Sequence, residues 1–311
     1  MRVEYQHKKN VTDEIIYNNF QQLLEFRIGD IRDYHAVCSL LKKADIVING
    51  AALKQVPSCE YFPFEALQTN VVGAENIVRA IRENDLQVES VVGVSTDKAC
   101  KPVNVMGMTK SLQERIFISA NITVPDTRFI CVRYGNVLAS RGSVIPLFHE
   151  QIKTGGPVTI TTDDMTRFLM PLERAVDTIL NALQHALPGE TVVPKVPAAR
   201  IIDVAKALIG DRKIEILITG IRPGEKIHEV MVSSEEAWRT FEHGSYYVIK
   251  PMLPELMKVS KEEQPLLKEY CSNDSLLNQD ETKKLLSKFN LLINEENEEN
   301  EENGENGDFL R

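Results

Sequence analysis

Between residues 23 and 137 the apolar residues of this chain arrive in two alternating rhythms. "LLEFRIGD" (23–30), "ADIVINGAA" (44–52), "VESVVGVST" (88–96) and "TRFICVRYGNV" (127–137) are short apolar runs rich in β-branched residues. Between them, "RDYHAVCSLLKK" (32–43), "EALQTNVVGAENIVRAIREN" (65–84) and "MGMTKSLQERIFISA" (106–120) space their apolar residues as helices do. Repeated strand–helix–strand units imply parallel strands, and runs without polar alternation imply strands covered on both faces. The predicted fold is α/β, a doubly wound parallel sheet.

The rest of the composition removes several function classes. A net charge of -9 gives no basic surface for nucleic acid, whose binding releases counterions from phosphates against Lys and Arg. No apolar run is long enough for membrane insertion, and the opening "MRVEYQHKKNVTDE" lacks a signal-peptide core, so a cytoplasmic protein is expected. The five cysteines are an odd, widely spaced set without a CxxC pair, and read as buried or incidental thiols. The six histidines show no metal-ligand spacing, and no metal is expected. Trp238 is expected to pack a helix.

Beyond residue 140 the rhythm loosens. Helices are expected at 144–155, 171–186, 200–210 and 233–244, with strands at 157–161 and 213–220, as in a smaller lobe. The acidic "NEENEENEENGENGDFLR" is predicted to be a disordered tail, since like charges repel and its apolar residues, Phe309 and Leu310, are too few to support a core. The expected division is 1–140, 141–290 and 291–311. A dinucleotide-binding sheet ordinarily begins with a strand, a glycine-rich turn and a helix whose N-terminus receives the pyrophosphate. Here the first glycine is Gly29, so the chain is expected to start one βαβ unit late.

"VGVSTDKAC" puts Ser95, Thr96, Asp97 and Lys98 at the C-terminal end of a strand, where open α/β sheets place their chemistry. Met106 and Lys110 follow on one face of the next helix, one turn apart. Short-chain dehydrogenase/reductase enzymes carry YxxxK at that spacing. A methionine here replaces the proton-carrying tyrosine.

"INGAALKQVPSCEYFPFEALQTNVVGAENIV", "STDKACKPVNVMGMTKS", "RYGNVLASRGSVIPLF", "MTRFLM" and "GIRPGEKIHEVMV" together resemble the C5-inverting UDP-N-acetylglucosamine 4,6-dehydratases of the extended short-chain dehydrogenase/reductase superfamily. The resemblance spans about residues 22 to 250. It implies a Rossmann-like doubly wound sheet lacking its first βαβ unit, a small C-terminal substrate-binding lobe, NADP as cofactor, UDP-N-acetylglucosamine as substrate and a homo-oligomer. It also implies a lyase that oxidises C4, removes the C5 proton and the C6 hydroxyl, and returns hydride to C6 with C5 inverted, for capsule, O-antigen or glycan synthesis. Asp97 would be the acid for the departing C6 oxygen and Lys98 the C5 base, with Thr96 beside them. Asp30, Ile31, Ala51, Ala52, Ser95, Met106, Lys110, Tyr134, Gly135 and Val137 would line the cofactor. Lys54, Asn136, Ser143, Val144, Arg222 and Glu225 would hold the substrate, the last two at the UDP moiety. A methionine at position 106 with the lysine kept resembles a subset that serves L-sugar synthesis. Two other readings stay open: a UDP-sugar 4-epimerase, and a non-catalytic remnant unable to hold the dinucleotide.

Overall fold

The computed structural model describes residues 25–140, 142–257 and 264–293. Contacts group Asp30–Leu292 as one compact unit, and Met1–Gly29 with Ile293–Arg311 as another. In the latter only 25–29 and 293 are described, and Arg27 pairs there with Glu25 at 2.6 Å. The expected tail therefore lies almost wholly outside the described residues. Residues 25–30, the described part of the strand expected at 23–30, form no strand, for they have no ladder partner among the described residues.

Within Asp30–Leu292 the strands are β1 (Ile46–Asn49), β2 (Ser90–Thr96), β3 (Arg128–Tyr134), β4 (Asn136–Val137), β5 (Val158–Ile160), β6 (Thr166–Met170), β7 (Thr191–Pro194), β8 (Ala198–Arg200), β9 (Ile216–Ile218), β10 (Val230–Val232), β11 (Thr240–His243), β12 (Tyr246–Ile249) and β13 (Tyr270–Cys271). The helices are α1 (Tyr34–Leu41), α2 (Val56–Tyr61), α3 (Pro63–Leu67), α4 (Gly73–Glu83), α5 (Val105–Thr123), α6 (Val144–Lys153), α7 (Leu172–His185), α8 (Ile201–Ile209), α9 (Ser234–Ala237) and α10 (Gln279–Lys288). The main sheet runs β1-β2-β3-β7-β12-β11. Its first four strands are parallel, and β12 pairs antiparallel with both β7 and β11. The α/β Rossmann-like architecture expected from the alternating runs is the one observed.

Both faces of β2 and β3 are covered, which explains their unbroken apolar character, whereas the edge strand β1 leaves Ile46 and Ile48 exposed. On one side Val91, Phe129 and Cys131 pack with Val37 and Leu41 of α1, Ile77 and Ile81 of α4 and Phe117 of α5. On the other, Val92, Ile130 and Val132 pack with Ala175 and Ala182 of α7. Gly93 on β2 is required by this fit, because an added Cβ would lie 2.4 Å from the Phe117 ring.

Two expectations beyond residue 230 fail for identifiable reasons. The helix predicted at 233–244 is only α9, opened by the Ser233–Glu236 capping box; the chain then turns into β11. Gly244, at φ 58°, starts a two-residue connection that pairs His243 with Tyr246, and a hairpin replaces the helix. Trp238 is 57% exposed rather than packed, since the helix meant to bury it ends at Ala237. The cysteine reading holds, with all five free and Cys59, Cys100 and Cys131 buried. No described helix is long and apolar enough to cross a membrane.

Candidate active site

Strand β2 is buried along nearly its whole length, so its C-terminal end is held firmly. There the chain turns through a short 3-10 segment, Asp97–Ala99. Asp97 Oδ1 accepts from Thr96 Oγ1 at 2.9 Å and from Lys98 Nζ at 3.1 Å. The other oxygen, Asp97 Oδ2, is buried with no hydrogen-bond partner. A carboxylate oxygen without a partner is costly unless a ligand supplies one. Lys98 Nζ also lies 3.1 Å from Glu229 Oε1. Burial alone would push the Lys98 ammonium toward neutrality, but Asp97 and Glu229 outweigh it and raise its pKa. The resting lysine is thus a charged ammonium between two carboxylates.

Helix α5 approaches this turn closely. Asn104 caps it by accepting from Gly107 N at 2.7 Å, and its amide donates to Gly224 O at 2.7 Å. A Cβ on Gly107 would stand 2.2 Å from the Lys98 carbonyl oxygen, so only glycine allows the approach. Met106 is 4% exposed and packs with Cys59 and Ala66, with Leu53 and Val56 alongside. One turn later Lys110 Nζ donates to Val94 O at 2.5 Å and to Gln113 Oε1 at 2.7 Å. Burial pulls its pKa down to about 8.

A π-helical turn at Gln68–Val72, between α3 and α4, presents a further polar side chain. Asn70 is fully buried. Its Oδ1 accepts from Leu53 N at 2.9 Å, while its Nδ2 donates to Leu53 O at 3.1 Å and to Thr109 Oγ1 at 2.9 Å. The loop after β1 and the helix bearing Met106 and Lys110 are thereby tied to one amide.

A family model described as polysaccharide biosynthesis protein matches residues 2–251. The chain belongs to that family. A curated relative from Rickettsia bellii (strain OSU 85-389), named UDP-glucose 4-epimerase, is 44% identical over 290 residues, covering 90% of this chain and 84% of its own. The solved structure of Pen from Bacillus thuringiensis is 34% identical with a TM-score of 0.80, over 89% of this chain and 88% of that one. DesIV, a dTDP-glucose 4,6-dehydratase from Streptomyces venezuelae solved with NAD bound, shares the fold at TM-score 0.58 and 17% identity, over 64% and 68%.

In this member of the polysaccharide biosynthesis family the predicted site residues fall into separate groups. Thr96, Asp97 and Lys98 form one hydrogen-bonded unit, and Lys110 is anchored to the same strand. Ser95 donates to Glu114 at 2.5 Å instead, joining a buried network in which Arg133 pairs with Glu114 at 2.7 Å and Glu236 at 2.8 Å. Tyr134 spends its hydroxyl on Ala175 O at 2.7 Å, and burial pushes its pKa up. Gly135 lets the chain pass Phe168, which an added Cβ would meet at 2.5 Å. Asn136 and Val137 pair with Leu169 and Met170 of β6. Ser143 precedes α6, which Val144 begins, and its Oγ is buried without a partner. Glu225 Oε2 accepts from Thr161 Oγ1 and from Arg222 N, both at 3.3 Å, and the Arg222 side chain is exposed. Asp30 bonds Arg32, which holds its carboxyl down to about 2, and Ile31 fills the notch at Gly73. Ala51, Ala52 and Lys54 lie in the loop after β1, Ala51 and Lys54 exposed.

Glu229, Arg167, Lys226, Glu114 and Asn70 were not singled out in the sequence. Glu229 had a signal, being an acidic residue directly before the apolar Val230, Met231 and Val232. For a nicotinamide dinucleotide, the donor set fits one half of the molecule. Lys110 Nζ has three N–H groups and gives two to the protein, which leaves one for a ribose hydroxyl. The turn after β1 is open at Gly50, where an added Cβ would meet nothing within 4 Å. For the pyrophosphate, the described residues after β1 offer α2 with Pro57 in its first turn and no glycine-rich loop.

Proposed function

We propose that this chain catalyses NADP-dependent 4,6-dehydration of UDP-N-acetylglucosamine with inversion at C5. The observation that carries this reading is Asp97, whose buried Oδ2 lacks a partner while Oδ1 is 3.1 Å from Lys98 Nζ. Dehydration needs an acid and a base side by side. As an ion pair, Lys98 is not a base and Asp97 is not an acid. One proton passing from Lys98 Nζ to Asp97 Oδ1 makes both at once. The free amine then takes the C5 proton, and the carboxylic acid protonates the C6 oxygen, which leaves as water. A bound nicotinamide dinucleotide would supply the acceptor for the C4 hydride, the C4 hydroxyl proton leaving to solvent, and would return the hydride at C6 while the Lys98 ammonium gives a proton to the opposite face of C5. Lys110 would orient the ribose, and Arg222 with Glu225 would take the UDP moiety. Met106 carries no exchangeable proton, so its part is to pack the helix against α2 and α3.

The second reading, UDP-sugar 4-epimerisation, draws on the name given to the Rickettsia relatives. It uses hydride at C4 alone and gives the acid at position 97 no oxygen to expel. Incubation with UDP-N-acetylglucosamine in deuterated water separates the two: the dehydratase gives a 4-keto-6-deoxy product with deuterium at C5. An unlabelled 4-epimer, from this substrate or from UDP-glucose, would reject the dehydratase. Lys98→Met should remove C5 exchange, and Asp97→Asn, which leaves Lys98 no carboxylate at 97 to receive its proton, should lower exchange as well as block water loss, each by about 100-fold or more.

A further inference from the structure

Lys98 has a second carboxylate that the dehydration does not use. Glu229 is 1% exposed, and its backbone is fixed at both ends: its N–H donates to Ser272 Oγ at 2.9 Å and its carbonyl accepts from Ser272 N at 2.8 Å. Ser272 Oγ in turn meets Thr166 Oγ1 of β6 at 2.6 Å. Arg167 of the same strand donates to the carbonyls of Lys226 and Ile227, which lead into Glu229. The segment is thus braced on three sides, and its carboxylate is delivered to Lys98 Nζ at 3.1 Å. A deeply buried carboxylate carries a large desolvation cost, and removal of one partner from such a pair leaves an uncompensated charge. Nothing in the packing of β10 against β13 requires an acid there, because Val230, Met231 and Val232 supply its apolar contacts.

We propose that Glu229 is a positioning residue for Lys98: it holds Nζ through a second carboxylate contact besides Asp97 and sets the charge state from which the lysine enters the reaction. This rests on the reading of Lys98 as the C5 base. The charged groups around Nζ are Asp97 on its own turn, Glu229 before β10 and Arg167 on β6, with Lys226 3.9 Å from the far oxygen of Glu229. With Asp97 Oδ1 and Glu229 Oε1 each 3.1 Å away, Nζ is tethered by two carboxylates beside the unpartnered Asp97 Oδ2. Removing the Glu229 charge leaves one carboxylate and one nearby guanidinium. Lys98 then loses its proton more readily, and the pH at which it acts falls.

The test is Glu229→Gln in the full chain, with two readouts. The first is competitive acylation of Lys98 across pH, read by peptide mass spectrometry, which needs no turnover. The half-labelling pH should fall by about one unit or more, the size of effect a single close opposite charge produces. The second is deuterium uptake at C5 of UDP-N-acetylglucosamine, whose rising limb with pH should move down by the same amount. A purely structural Glu229 would lower both amplitudes and leave both midpoints in place, which would overturn the proposal. If labelling shifts while wild type shows no C5 exchange at any pH, the role of Glu229 toward Lys98 stands and the dehydratase reading falls. Should the glutamine variant not fold, Glu229→Asp draws the carboxylate back by one methylene and should move the labelling midpoint the same way by less; an unmoved midpoint again overturns the proposal.

Discussion

Replacing Asn70 by alanine probes the link between the loop after β1 and the helix bearing Lys110. The substitution removes three hydrogen bonds, of 2.9, 3.1 and 2.9 Å, from a fully buried amide. Leu53 loses a partner for both its N–H and its carbonyl in a partly buried position, although Cys59 Sγ still approaches that carbonyl at 3.6 Å. Each bond is worth about 1 kcal/mol net, and stranding a buried group adds more, so the loss should be about 2–4 kcal/mol. At about 2–4 °C per kcal/mol for a unit of this size, thermal melting should fall by roughly 5–15 °C. Turnover should fall further than stability explains, because both the loop after β1 and the Thr109 turn are released. Asn70→Asp, which keeps the acceptor for Leu53 N and loses both donors, should be at least as harmful. An alanine variant melting within about 2 °C of wild type would refute the assignment of these bonds as a structural clamp.

Gly107→Ala should cost about 1–3 kcal/mol and about 100-fold in rate, as the helix start is driven off the Lys98 carbonyl; calorimetry and turnover together check it. Met106→Tyr should cost about 1–3 kcal/mol through overpacking against Cys59 and Ala66, read as a lowered denaturation midpoint without restored or enhanced turnover. Lys110 gives a pH signature: burial lowers its pKa from the ordinary 10.5 to about 8, so the unfolded chain binds that proton more tightly. Its penalty is full below pH 8 and is relieved as pH rises from about 8 toward 10.5, which adds about 1–3 kcal/mol to stability over that window. Urea unfolding from pH 7 to 10.5 should show this rise in wild type and lose it in Lys110→Met.

The alternating apolar runs located β1, β2 and β3 and the helices between them; β2 and β3 are buried on both faces and leave no polar alternation to mislead, while β1 was found by its β-branched run although Ile46 and Ile48 are exposed. The hairpin of β11 and β12 was hidden by Ser233 to Ala237, whose helix start is strong enough to mask the Gly244–Ser245 turn that follows. At the site, Asp97 and Lys98 were visible because their strand is local and its end is marked. Their partner Glu229 was not, since it reaches Lys98 across 131 positions of sequence and only the fold brings them to 3.1 Å. Tyr134 stands at the strand end the sequence marked, and its hydroxyl donates to the Ala175 carbonyl, a contact across 41 positions that the sequence did not display.

The order of strands in the main sheet also bears on how the chain is made. β7 pairs with β3 on one edge, and its other edge is closed only by β12, about fifty residues later, beginning at Tyr246. During synthesis at about 5–20 residues per second, that edge stays open for roughly 3–10 s. The run Thr191–Pro194 is fully buried in the finished protein, so for those seconds the nascent chain displays an apolar strand with unpaired backbone. A ribosome stalled between Pro194 and Tyr246 would hold it in that state, and a holdase chaperone would find its target there.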